Sequence, residues 1–501
     1  MMTKYATFLL IFTLIGCSPR IRTDNQTTVS NYYTQGQSNR TAAEWEPAIG
    51  TMLTWPLCVP HKLVVELAKD NHLFTLVADD SSKKEAAKWY SKWGIDEKHN
   101  TFVMAPQGID AWWTRDWGPS AIFTPDGKMK LGDGKYIYAT PSSTLGCADS
   151  LQFLYFDQNH QMIKTEVDDN ATIPLGKALN IEVLDLPFIT TGGNVMTDGL
   201  GTAFSSCILL NENNFYQVPS EKFFELNKKL SGFERYTILP NFEQRGIQHI
   251  DCLMKILDEE RILVAEPPKD HKLYPIYENI VQNELAKLRT AYGRPYEILR
   301  LKTDRYFKDK LAAYTNSIIV NKTIYVPLFQ IKQDQLALEA WRKAMPGYTV
   351  KGFEFALKDE PVVSKELQTH YASGYGWNHG DALHCRTRAV WDSQMLYLTT
   401  KKIAAVVQEK QTNRVYSTII DYSKKGLVTQ NCRLHWKALG GSSWNSVELT
   451  PTKNPEHFYA DIPLYPKGTS VAYYIAASSK SGRTETQPRT APAGFFQFIV
   501  K

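Results

Sequence analysis

The amino-acid sequence predicts an α/β region followed by an all-β region. Between about residue 45 and residue 400, short apolar runs that suit β-strands alternate with stretches of helical periodicity. Beyond about residue 410 the helical stretches stop, and strand-like runs follow one another with turn residues between them. The chain has 501 residues, which is long for one domain, so two or more domains are expected.

The alternation in the α/β region can be followed through two examples. Residues 81–90 have helical spacing with a candidate N-cap, and residues 101–104 are predicted to form the strand after that helix. Residues 334–344 are predicted to form a helix that stops before Pro346-Gly347, and residues 348–353 are predicted to form the next strand. We therefore predict an α/β domain over residues 42–405.

Residues 410–501 are predicted to form a separate β-sandwich. Regularly spaced strands without a helix between them are typical of an immunoglobulin-like domain. We expect this domain to be a structural or spacing module rather than a catalytic one. Its predicted strands are residues 415–420, 432–436, 446–449, 458–462, 470–476 and 495–500.

The N-terminal segment, residues 1–17, resembles a bacterial lipoprotein signal peptide. Lys4 supplies a positive charge, residues 8–15 are apolar, and Leu14-Ile15-Gly16-Cys17 resembles a lipobox. The apolar stretch is too short to form a stable membrane-spanning helix. We expect Cys17 to become a lipidated N-terminus that attaches the protein to the bacterial cell envelope, with the outer membrane as the expected location. An ordinary cleaved secretory signal is the alternative.

The residues after the lipobox are expected to form a flexible tether. Residues 18–41 are polar and contain little that can be buried. Beyond Cys17, the remaining cysteines are widely scattered, which does not suggest a disulfide scaffold. These are Cys58, Cys147, Cys207, Cys252, Cys385 and Cys432.

The charge of the chain argues against one class of partner. The sequence has 57 basic and 52 acidic residues, for a net charge of +5. This balance is too even to indicate nucleic-acid binding, and no basic run is interleaved with aromatic residues as such a surface requires. We therefore expect no nucleic-acid partner.

Cys385 is the most informative residue, because other segments supply what a thiol acting on a guanidinium requires. A guanidinium is planar and cationic, so carboxylates can match its N–H donors while a thiolate attacks its central carbon. Asp116 and Asp251 are the predicted carboxylate clamps. A neighbouring cation favours the thiolate form of Cys385. The supporting segments are residues 113–119, 192–194 and 249–251.

His249 and Asp251 form a His-x-Asp pair that can supply proton transfer beside substrate binding. On a strand, both side chains would point to the same face and enter one pocket. His249 can then protonate the departing ammonia and later activate the water that hydrolyses an S-alkylthiouronium intermediate. Taken singly, each residue also fits an ordinary structural role. A metal site of His249, Asp251, His384 and Cys385 is a further alternative, but its spacing matches none of the standard zinc patterns.

Six segments occur along the chain in a recognisable order. Their sequences are Glu44-Trp45-Glu46-Pro47 running to Thr54-Trp55-Pro56, Trp113-Thr114-Arg115-Asp116-Trp117-Gly118-Pro119, Thr191-Gly192-Gly193-Asn194, His249-Ile250-Asp251-Cys252, Tyr314-Thr315-Asn316-Ser317 and Ala382-Leu383-His384-Cys385-Arg386-Thr387. This set resembles the bacterial peptidylarginine deiminase and agmatine deiminase superfamily, over roughly residues 42–400. Residues 191–206 and 345–348 are most similar to the bacterial peptidylarginine deiminase branch. The resemblance implies a five-bladed propeller of ββαβ units around a central channel, with no cofactor and no catalytic metal.

The resemblance also implies a role for each matching residue. Cys385 falls on the family nucleophile, and His249 falls on the general acid and base. Asp116 and Asp251 fall on the two guanidinium-binding carboxylates, and Asn316 falls on an active-site asparagine. The implied reaction is hydrolysis of peptidyl-arginine to citrulline and ammonia through a covalent cysteine thiouronium intermediate.

The part of the sequence expected to set substrate specificity departs from the family. Trp113 matches an aromatic residue that lines the substrate side chain, where its ring can pack on the arginine methylenes. Family enzymes that act on C-terminal arginines also carry two closely spaced arginines that bind the substrate's α-carboxylate. Residues 136–144 contain no arginine, and an apparent insertion follows up to about residue 169. We therefore expect a weaker preference for a C-terminal arginine.

Three alternatives to protein-arginine deimination remain open at this stage. The substrate can be agmatine or another small guanidine rather than a peptide. Amidinotransferases share the fold and a nucleophilic cysteine, so amidino transfer is a second alternative. The third is a non-catalytic envelope binding protein on a deiminase scaffold, but a binding module has no evident use for the full set of five site residues.

Overall fold

The computed structural model describes residues 38–105, 112–136, 147, 170–243, 247–370 and 373–501. The predicted signal peptide with Cys17, most of the predicted tether and most of the apparent insertion lie outside these residues. None of the described helices is long and apolar enough to cross a membrane. The α-helices are α1 (His61–Asp70), α2 (Asp80–Lys92), α3 (Thr114–Trp117), α4 (Thr172–Leu179), α5 (Ile208–Phe215), α6 (Ser220–Leu226), α7 (Tyr274–Asn279), α8 (Gln333–Ala344) and α9 (Lys365–His370).

The strands up to residue 391 alternate with these helices along the chain. They are β1 (Arg40–Thr41), β2 (Ala48–Thr54), β3 (His72–Val77), β4 (Asn100–Met104), β5 (Ser120–Phe123), β6 (Met129–Lys135), β7 (Val183–Ile189), β8 (Met196–Thr197), β9 (Thr202–Ser206), β10 (Arg235–Leu239), β11 (Met254–Ile256), β12 (Arg261–Glu266), β13 (Glu297–Lys302), β14 (Arg305–Phe307), β15 (Lys310–Leu311), β16 (Ile318–Val320), β17 (Thr323–Leu328), β18 (Thr349–Glu354) and β19 (Arg388–Trp391). This alternation confirms the predicted α/β character of the region.

One pairing pattern recurs in five sheets of this region. In each sheet a strand pairs antiparallel with the next, which then pairs parallel with a third strand. Parallel neighbours require a crossover connection, and a helix lies in that connection where the structure describes it. The strand orders are β1-β5-β6-β7, β8-β9-β10, β11-β12-β13, β16-β17-β18 and β19-β2-β3-β4. Because β19 pairs with β2, the last sheet is assembled from both ends of the region.

The helix predicted over residues 334–344 shows how this region packs. In the structure α8 starts one residue earlier, at Gln333, and ends at Ala344 before Pro346. Its buried side chains, which include Ala337 and Trp341, recur at helical spacing, so one face of the helix packs on the core. The Trp341 indole also donates a hydrogen bond to the Tyr314 carbonyl oxygen at 3.2 Å, two residues before Asn316.

The other predicted elements of the α/β region agree in type and differ at their ends. The helix predicted over residues 81–90 is α2, and it is capped by Asp79, whose carboxylate accepts a hydrogen bond from the Ser82 N–H at 2.7 Å. This cap supplies an acceptor for one of the free N–H groups at the helix start. The predicted strands at residues 101–104 and 348–353 are β4 and β18.

Two sheets make up the chain beyond residue 395, and all six strands predicted there are present with small shifts. Their strands are β20 (Leu396–Lys401), β21 (Val406–Val407), β22 (Asn413–Asp421), β23 (Arg433–Ala438), β24 (Asn445–Glu448), β25 (Thr450–Pro451), β26 (His457–Ile462), β27 (Ser470–Ser478), β28 (Thr484–Gln487) and β29 (Phe496–Val500). The strand orders are β20-β22-β26-β25 and β21-β29-β27-β23-β24, with β28 on β27. The first of these strands, β20, lies before the predicted boundary at residue 405 and pairs with β22.

The cysteines include one bonded pair that the sequence did not indicate. Cys147 and Cys207 form a disulfide between residues 60 positions apart. Wide separation along the chain gives no local signal for such a pair, because the two residues meet only in the folded protein. The other cysteines in the part that the structure describes, including Cys385, are free and buried.

Candidate active site

The predicted site residues and the supporting residues 192–194 lie on five short segments. Each segment directly precedes the strand that begins the antiparallel-then-parallel pattern in one of the five recurring sheets. Four of the segments are single helical turns. They are Thr114–Trp117 before β5, Gly192–Asn194 before β8, Ile250–Cys252 before β11 and His384–Arg386 before β19. The fifth is the Thr315-Asn316-Ser317 segment before β16. Equivalent positions of repeated units therefore bring distant parts of the chain to one place.

One prediction about these segments is wrong. His249 and Asp251 do not lie on a strand, because Ile250–Cys252 forms a 3-10 turn in which the Cys252 N–H donates to the His249 carbonyl oxygen at 3.1 Å. Gln248, just before the turn, has a positive φ of 61°, which strand geometry excludes. The turn nevertheless brings both side chains to the same site, as the strand hypothesis required.

Asp116, Asp251 and His249 surround one glycine, Gly193. The Gly193 N–H donates a hydrogen bond to Asp116 Oδ1 at 2.9 Å. A Cβ atom placed on Gly193 would lie 2.7 Å from Asp116 Oδ1, 3.1 Å from Asp251 Oδ2 and 3.1 Å from His249 Nδ1. His249 Nδ1 itself lies 3.6 Å from Asp116 Oδ1. Two carboxylates and an imidazole thus border a space beside Gly193, and any side chain larger than that of glycine would fill this space.

Cys385 lies beside the same group and is held by Asn316. Its side chain is buried, and its Sγ lies 3.2 Å from Asn316 Nδ2 and 3.6 Å from Asp251 Oδ2. Asn316 Oδ1 accepts hydrogen bonds from the N–H groups of His384 at 2.9 Å and of Cys385 at 3.4 Å. One amide therefore fixes both the sulfur and the backbone of the residue that carries it.

Burial and negative neighbours set the ionisation of these groups. Burial, with Asp251 and Asp381 nearby, raises the pKa of the Cys385 thiol well above its ordinary value, although the Asn316 hydrogen bond opposes this. Burial likewise raises the pKa of Asp116 to about 6, against the lowering effect of His249. Both shifts reflect a site with too much negative charge and too little water. A cation between the carboxylates would lower both pKa values, so the site is suited to a positively charged ligand.

A second layer, to which the sequence assigned no role, holds Asp251 in place. His384 Nδ1 lies 2.7 Å from Asp251 Oδ2, and His384 Nε2 lies 2.6 Å from Glu44 Oε2. Only an imidazolium has two N–H donors that could bond both carboxylates at once, but burial and the nearby Arg115 lower the pKa of His384 against the opposing effect of Glu44. Burial raises the pKa of Asp251 but the His384 hydrogen bond and charge outweigh it, so the pKa is lowered overall. Two cations also lie beside the Glu44 carboxylate. Lys255 Nζ is 3.2 Å from Glu44 Oε1, and Arg115 Nη1 is 3.6 Å from Glu44 Oε2.

The loop before Cys385 is fixed by an ion pair. Arg386 forms a bidentate pair with Asp381, with distances of 2.8 Å from Nε to Oδ1 and 2.6 Å from Nη2 to Oδ2. The Trp112 indole donates to Asp381 Oδ2 at 3.3 Å, which ties this loop to the segment that carries Asp116. Trp113, predicted to line the substrate side chain, is partly buried with its ring centroid 4.7 Å from that of Trp112.

The structure thus brings Cys385, His249, Asp116, Asp251 and Asn316 into one buried site, with Trp113 at the start of the turn that carries Asp116. The metal alternative of His249, Asp251, His384 and Cys385 gains no support. In the described ranges no three His, Cys, Asp or Glu side chains are placed to hold a metal ion. The absence of a catalytic metal remains a prediction.

Comparisons with known proteins agree with this picture. A sequence profile of the Porphyromonas-type peptidyl-arginine deiminase family matches residues 40–357, more than half of the chain. A Vibrio parahaemolyticus protein assigned as an agmatine deiminase is 26% identical over 267 residues, which cover 48% of this chain and 69% of that protein. A Mycoplasma mycoides protein with the same assignment is 24% identical over 281 residues, which cover 50% of this chain and 71% of that protein.

Solved structures give the same fold. A Porphyromonas gingivalis protein assigned as an arginine deiminase has a TM-score of 0.53 at 18% identity, and the match covers 71% of this chain and 99% of that one. The Enterococcus faecalis agmatine deiminase has a TM-score of 0.53 at 16% identity, covering 73% and 100%. A substrate-bound variant of the C. jejuni agmatine deiminase has a TM-score of 0.51 at 18% identity, covering 72% and 99%.

The α/β fold and these relatives define the class of the protein. It is a guanidino-group deiminase, which is a hydrolase that acts on guanidino groups. Within that class, the chain belongs to the Porphyromonas-type peptidyl-arginine deiminase family.

Proposed function

We propose that the enzyme hydrolyses the guanidinium group of peptidyl-arginine, giving peptidyl-citrulline and ammonia. One observation carries the proposal: the sulfur of Cys385 lies 3.6 Å from Asp251 Oδ2, at a site where Asp116 and His249 also border the space above Gly193. A planar cation held between the two carboxylates would present its central carbon to that sulfur. Asp116, Asp251, His249, Asn316 and Cys385 are the proposed catalytic and substrate-binding residues.

The proposed reaction proceeds in two halves. The Cys385 thiolate attacks the guanidinium carbon, and the C–N bond to one terminal nitrogen breaks as His249 supplies the proton with which ammonia leaves. This leaves an S-alkylthiouronium on Cys385. His249 then removes a proton from water, which attacks the same carbon, and the C–S bond breaks to release the ureido product. Asn316 Nδ2 donates a hydrogen bond to the sulfur, so it can stabilise the thiolate before the attack and again when the C–S bond breaks.

We propose that the substrate itself activates the nucleophile. The pKa of Cys385 is raised in the empty site because burial and nearby carboxylates disfavour a further negative charge. A bound guanidinium cancels that negative charge and so favours the thiolate where it is needed.

The finer architecture is part of the same proposal. Five sheets with one recurring pairing pattern, the last of them joined through β19 and β2, support a five-bladed propeller of ββαβ units over residues 42–405. The two sheets beyond residue 395 share a buried apolar core, which includes Val415 and Phe458 from one sheet and Leu434 and Val471 from the other. They support an immunoglobulin-like sandwich as the C-terminal domain, approximately over residues 410–501.

Agmatine or another small guanidine is the second candidate substrate, because the relatives with curated assignments are called agmatine deiminases. The family profile favours a peptide instead. A panel of arginine peptides, free arginine and agmatine, scored for ureido product and ammonia, separates these candidates. We expect internal or terminal arginine peptides to give the highest kcat/KM. Preferential turnover of agmatine would replace the peptide proposal with the small-guanidine one.

Specificity for the peptide carboxylate is expected to be weak. Residues 136–144 carry no arginine to pair with a substrate α-carboxylate, and residues 137–144 lie outside the described part of the chain. Without a cationic partner, a carboxylate gains little on leaving water. We expect amidation of the carboxylate of an arginine-terminated peptide to change kcat/KM by less than about tenfold, or ~1.4 kcal/mol. Steady-state kinetics on the acid and amide peptides measure this, and a hundredfold loss would reveal another carboxylate-binding cation.

The pH dependence of activity is expected to show the ionisation of Asp116. Its pKa in the free enzyme is raised to about 6 by burial, and only the carboxylate form can bind a guanidinium. As the pH falls through 6, Asp116 becomes protonated, which alone is expected to lower kcat/KM by about tenfold between pH 7 and pH 5. Loss of the Cys385 thiolate over the same range adds to this fall. Above pH 7 the raised pKa of the Cys385 thiol should let kcat/KM continue to rise. Equal kcat/KM values at pH 5 and pH 7 would contradict the role given to Asp116.

We further propose that the protein is anchored to the bacterial envelope through a lipid on Cys17. The sequence Leu14-Ile15-Gly16-Cys17 supports this, because it resembles a lipobox. The apolar segment at residues 8–15 is too short to span a membrane, so attachment would depend on the lipid. Cys17→Ser is expected to move the protein from the membrane fraction to the soluble fraction, measured by fractionation of expressing cells. Cys58→Ser is the matched control and should leave the distribution unchanged. A wild-type protein found only in the soluble fraction would exclude the lipid anchor.

A further inference from the structure

The fold contains a second cavity, next to the catalytic site but separate from it. Its volume is about 70 Å³. Gly192, Glu44, Arg115, Lys255 and Arg388 line one end of it. None of the five proposed site residues, nor Gly193, is in its wall.

Two successive glycines separate the two spaces. A Cβ atom on Gly193 would point at Asp116, Asp251 and His249. A Cβ atom on Gly192 would instead lie 2.1 Å from the Arg115 carbonyl oxygen and 2.5 Å from Arg388 Nη1. The Gly192–Asn194 turn is therefore a thin partition, with carboxylates on its catalytic side and guanidinium groups on the other.

The polar end of the cavity has more cations than carboxylates. Arg115, Lys255 and Arg388 are all buried, and Glu44 is the carboxylate among the lining residues. The Arg388 Nε and Nη1 atoms donate to neutral carbonyl oxygens, of Pro119 at 2.9 Å and of Arg115 at 3.0 Å. No carboxylate stands within ion-pair distance of Arg388 among the described residues. A buried guanidinium without a directly paired carboxylate is costly. Burial beside Arg115 lowers the pKa of Arg388 to about 9, against the raising effect of Glu44 and Asp116.

Arg115 also has an unused donor. Its Nε donates to the His384 carbonyl oxygen at 3.3 Å, and its Nη1 lies 3.6 Å from Glu44 Oε2. The Arg115 Nη2 atom is buried and has no hydrogen-bond partner. An unsatisfied buried N–H on a charged group costs free energy that an acceptor in the cavity would recover.

The rest of the cavity wall is mainly apolar. It includes Leu186, Ile189, Leu209, Phe223 and Phe233, with the polar side chains of Asn227, Ser231 and Tyr236 beside them. A cavity with guanidinium groups at one end and aliphatic and aromatic side chains at the other matches an amphiphilic anion. We propose that this cavity binds a short aliphatic monocarboxylate, with its carboxylate toward Arg115 and Arg388 and its alkyl chain toward the apolar wall.

Thermal unfolding of the full chain tests the proposal, because a ligand that binds only the folded state raises Tm. The probes are potassium formate, acetate, propionate and butyrate, compared with potassium chloride at equal ionic strength and pH, and with neutral propionamide. We expect a saturable rise of about 2 °C with propionate or butyrate, a smaller rise with formate, and none with propionamide. An equal rise with chloride, or no rise with any carboxylate, would overturn the proposal.

Variants locate the effect. Arg388→Met keeps most of the side-chain volume and removes the charge, so it should abolish the propionate-dependent rise. Val195→Met fills part of the cavity without altering any charge, so it should also reduce the propionate-dependent rise. This variant tests the proposal if Arg388→Met does not fold. Arg414→Met removes an exposed arginine of the C-terminal sheets, paired with Asp461, and should keep the full rise. A rise that survives in Val195→Met would show that the carboxylate binds elsewhere.

Discussion

Replacing Cys385 with alanine is expected to abolish ammonia release, with a loss in kcat of at least about 10⁴-fold. The sulfur that lies between Asn316 Nδ2 and Asp251 Oδ2 forms the covalent bond in the proposed reaction, and alanine has no group that can form it. The side chain is buried and small, so alanine should leave the fold intact. Turnover of an arginine peptide, with Tm as the check on folding, measures the effect.

Cys252 provides a matched control for this prediction. It is also buried and free, and its Sγ lies 3.5 Å from the same Asn316 Nδ2 atom. Burial and Asp251 raise the pKa values of both thiols, so position separates them. Cys252 Sγ lies 3.6 Å from Asp251 Oδ1, whereas Cys385 Sγ lies 3.6 Å from Asp251 Oδ2, the oxygen that borders the proposed guanidinium space. Cys252→Ala is expected to keep kcat within about tenfold of the wild type. A haloacetamidine should add mass to Cys385 alone, and labelling at Cys252 with loss of activity would show that the nucleophile is misassigned.

The residues that meet at the candidate site were predictable because each carries a local signal. A cysteine, a His-x-Asp pair and an aspartate between tryptophans are unusual enough in sequence to suggest a shared site, and the order of the segments fits a family. Their local conformation was less predictable. His249 and Asp251 share a site through a 3-10 turn rather than a strand, because the five residues between Gln248 and β11 form a single short turn.

The supporting layer could not be predicted, because its contacts join distant positions. His384 and Glu44 are separated by 340 residues, and nothing near either one indicates the other. The Lys255 side chain reaches Glu44 across 211 residues, and a lysine on a short apolar strand has no distinguishing pattern. The same limit applies to the recurring sheets, since the pairing of β19 with β2 depends on where the chain returns.

In the C-terminal region, predictability followed strand length and polarity. Strands such as β22 and β27 are nine residues long and rich in β-branched and aromatic residues, so they are easily recognised. Among the missed strands, β21 and β25 have two residues each, and β28 is polar throughout as Thr-Glu-Thr-Gln. The longer β20 was also missed, because it lies before the predicted start of the domain. Such segments join a sheet because a neighbour offers hydrogen bonds, and the sequence alone does not show that neighbour.

Gly193→Ala is expected to cause the second-largest loss of activity, of about 10³-fold in kcat/KM. The added methyl group would lie 2.7 Å from Asp116 Oδ1 and 3.1 Å from both Asp251 Oδ2 and His249 Nδ1. It would therefore occupy the space proposed for the guanidinium and push the Asp116 carboxylate from its hydrogen bond with the Gly193 N–H. Displacements of about 1 Å in such a site cost about 10²-fold, and here the methyl group also blocks substrate.

The fold should tolerate this change, which makes the result interpretable. Gly193 lies outside the left-handed region of φ, so alanine can adopt its backbone conformation without strain. Gly380→Ala is the matched control, because a Cβ there would meet only Ile247 side-chain atoms, at 3.5 Å or more, in the loop that leads to Cys385. That variant should keep kcat/KM within about threefold. If Gly193→Ala retained wild-type kcat/KM and Tm, the guanidinium could not bind between Asp116, Asp251 and His249, and the substrate site would have to lie elsewhere.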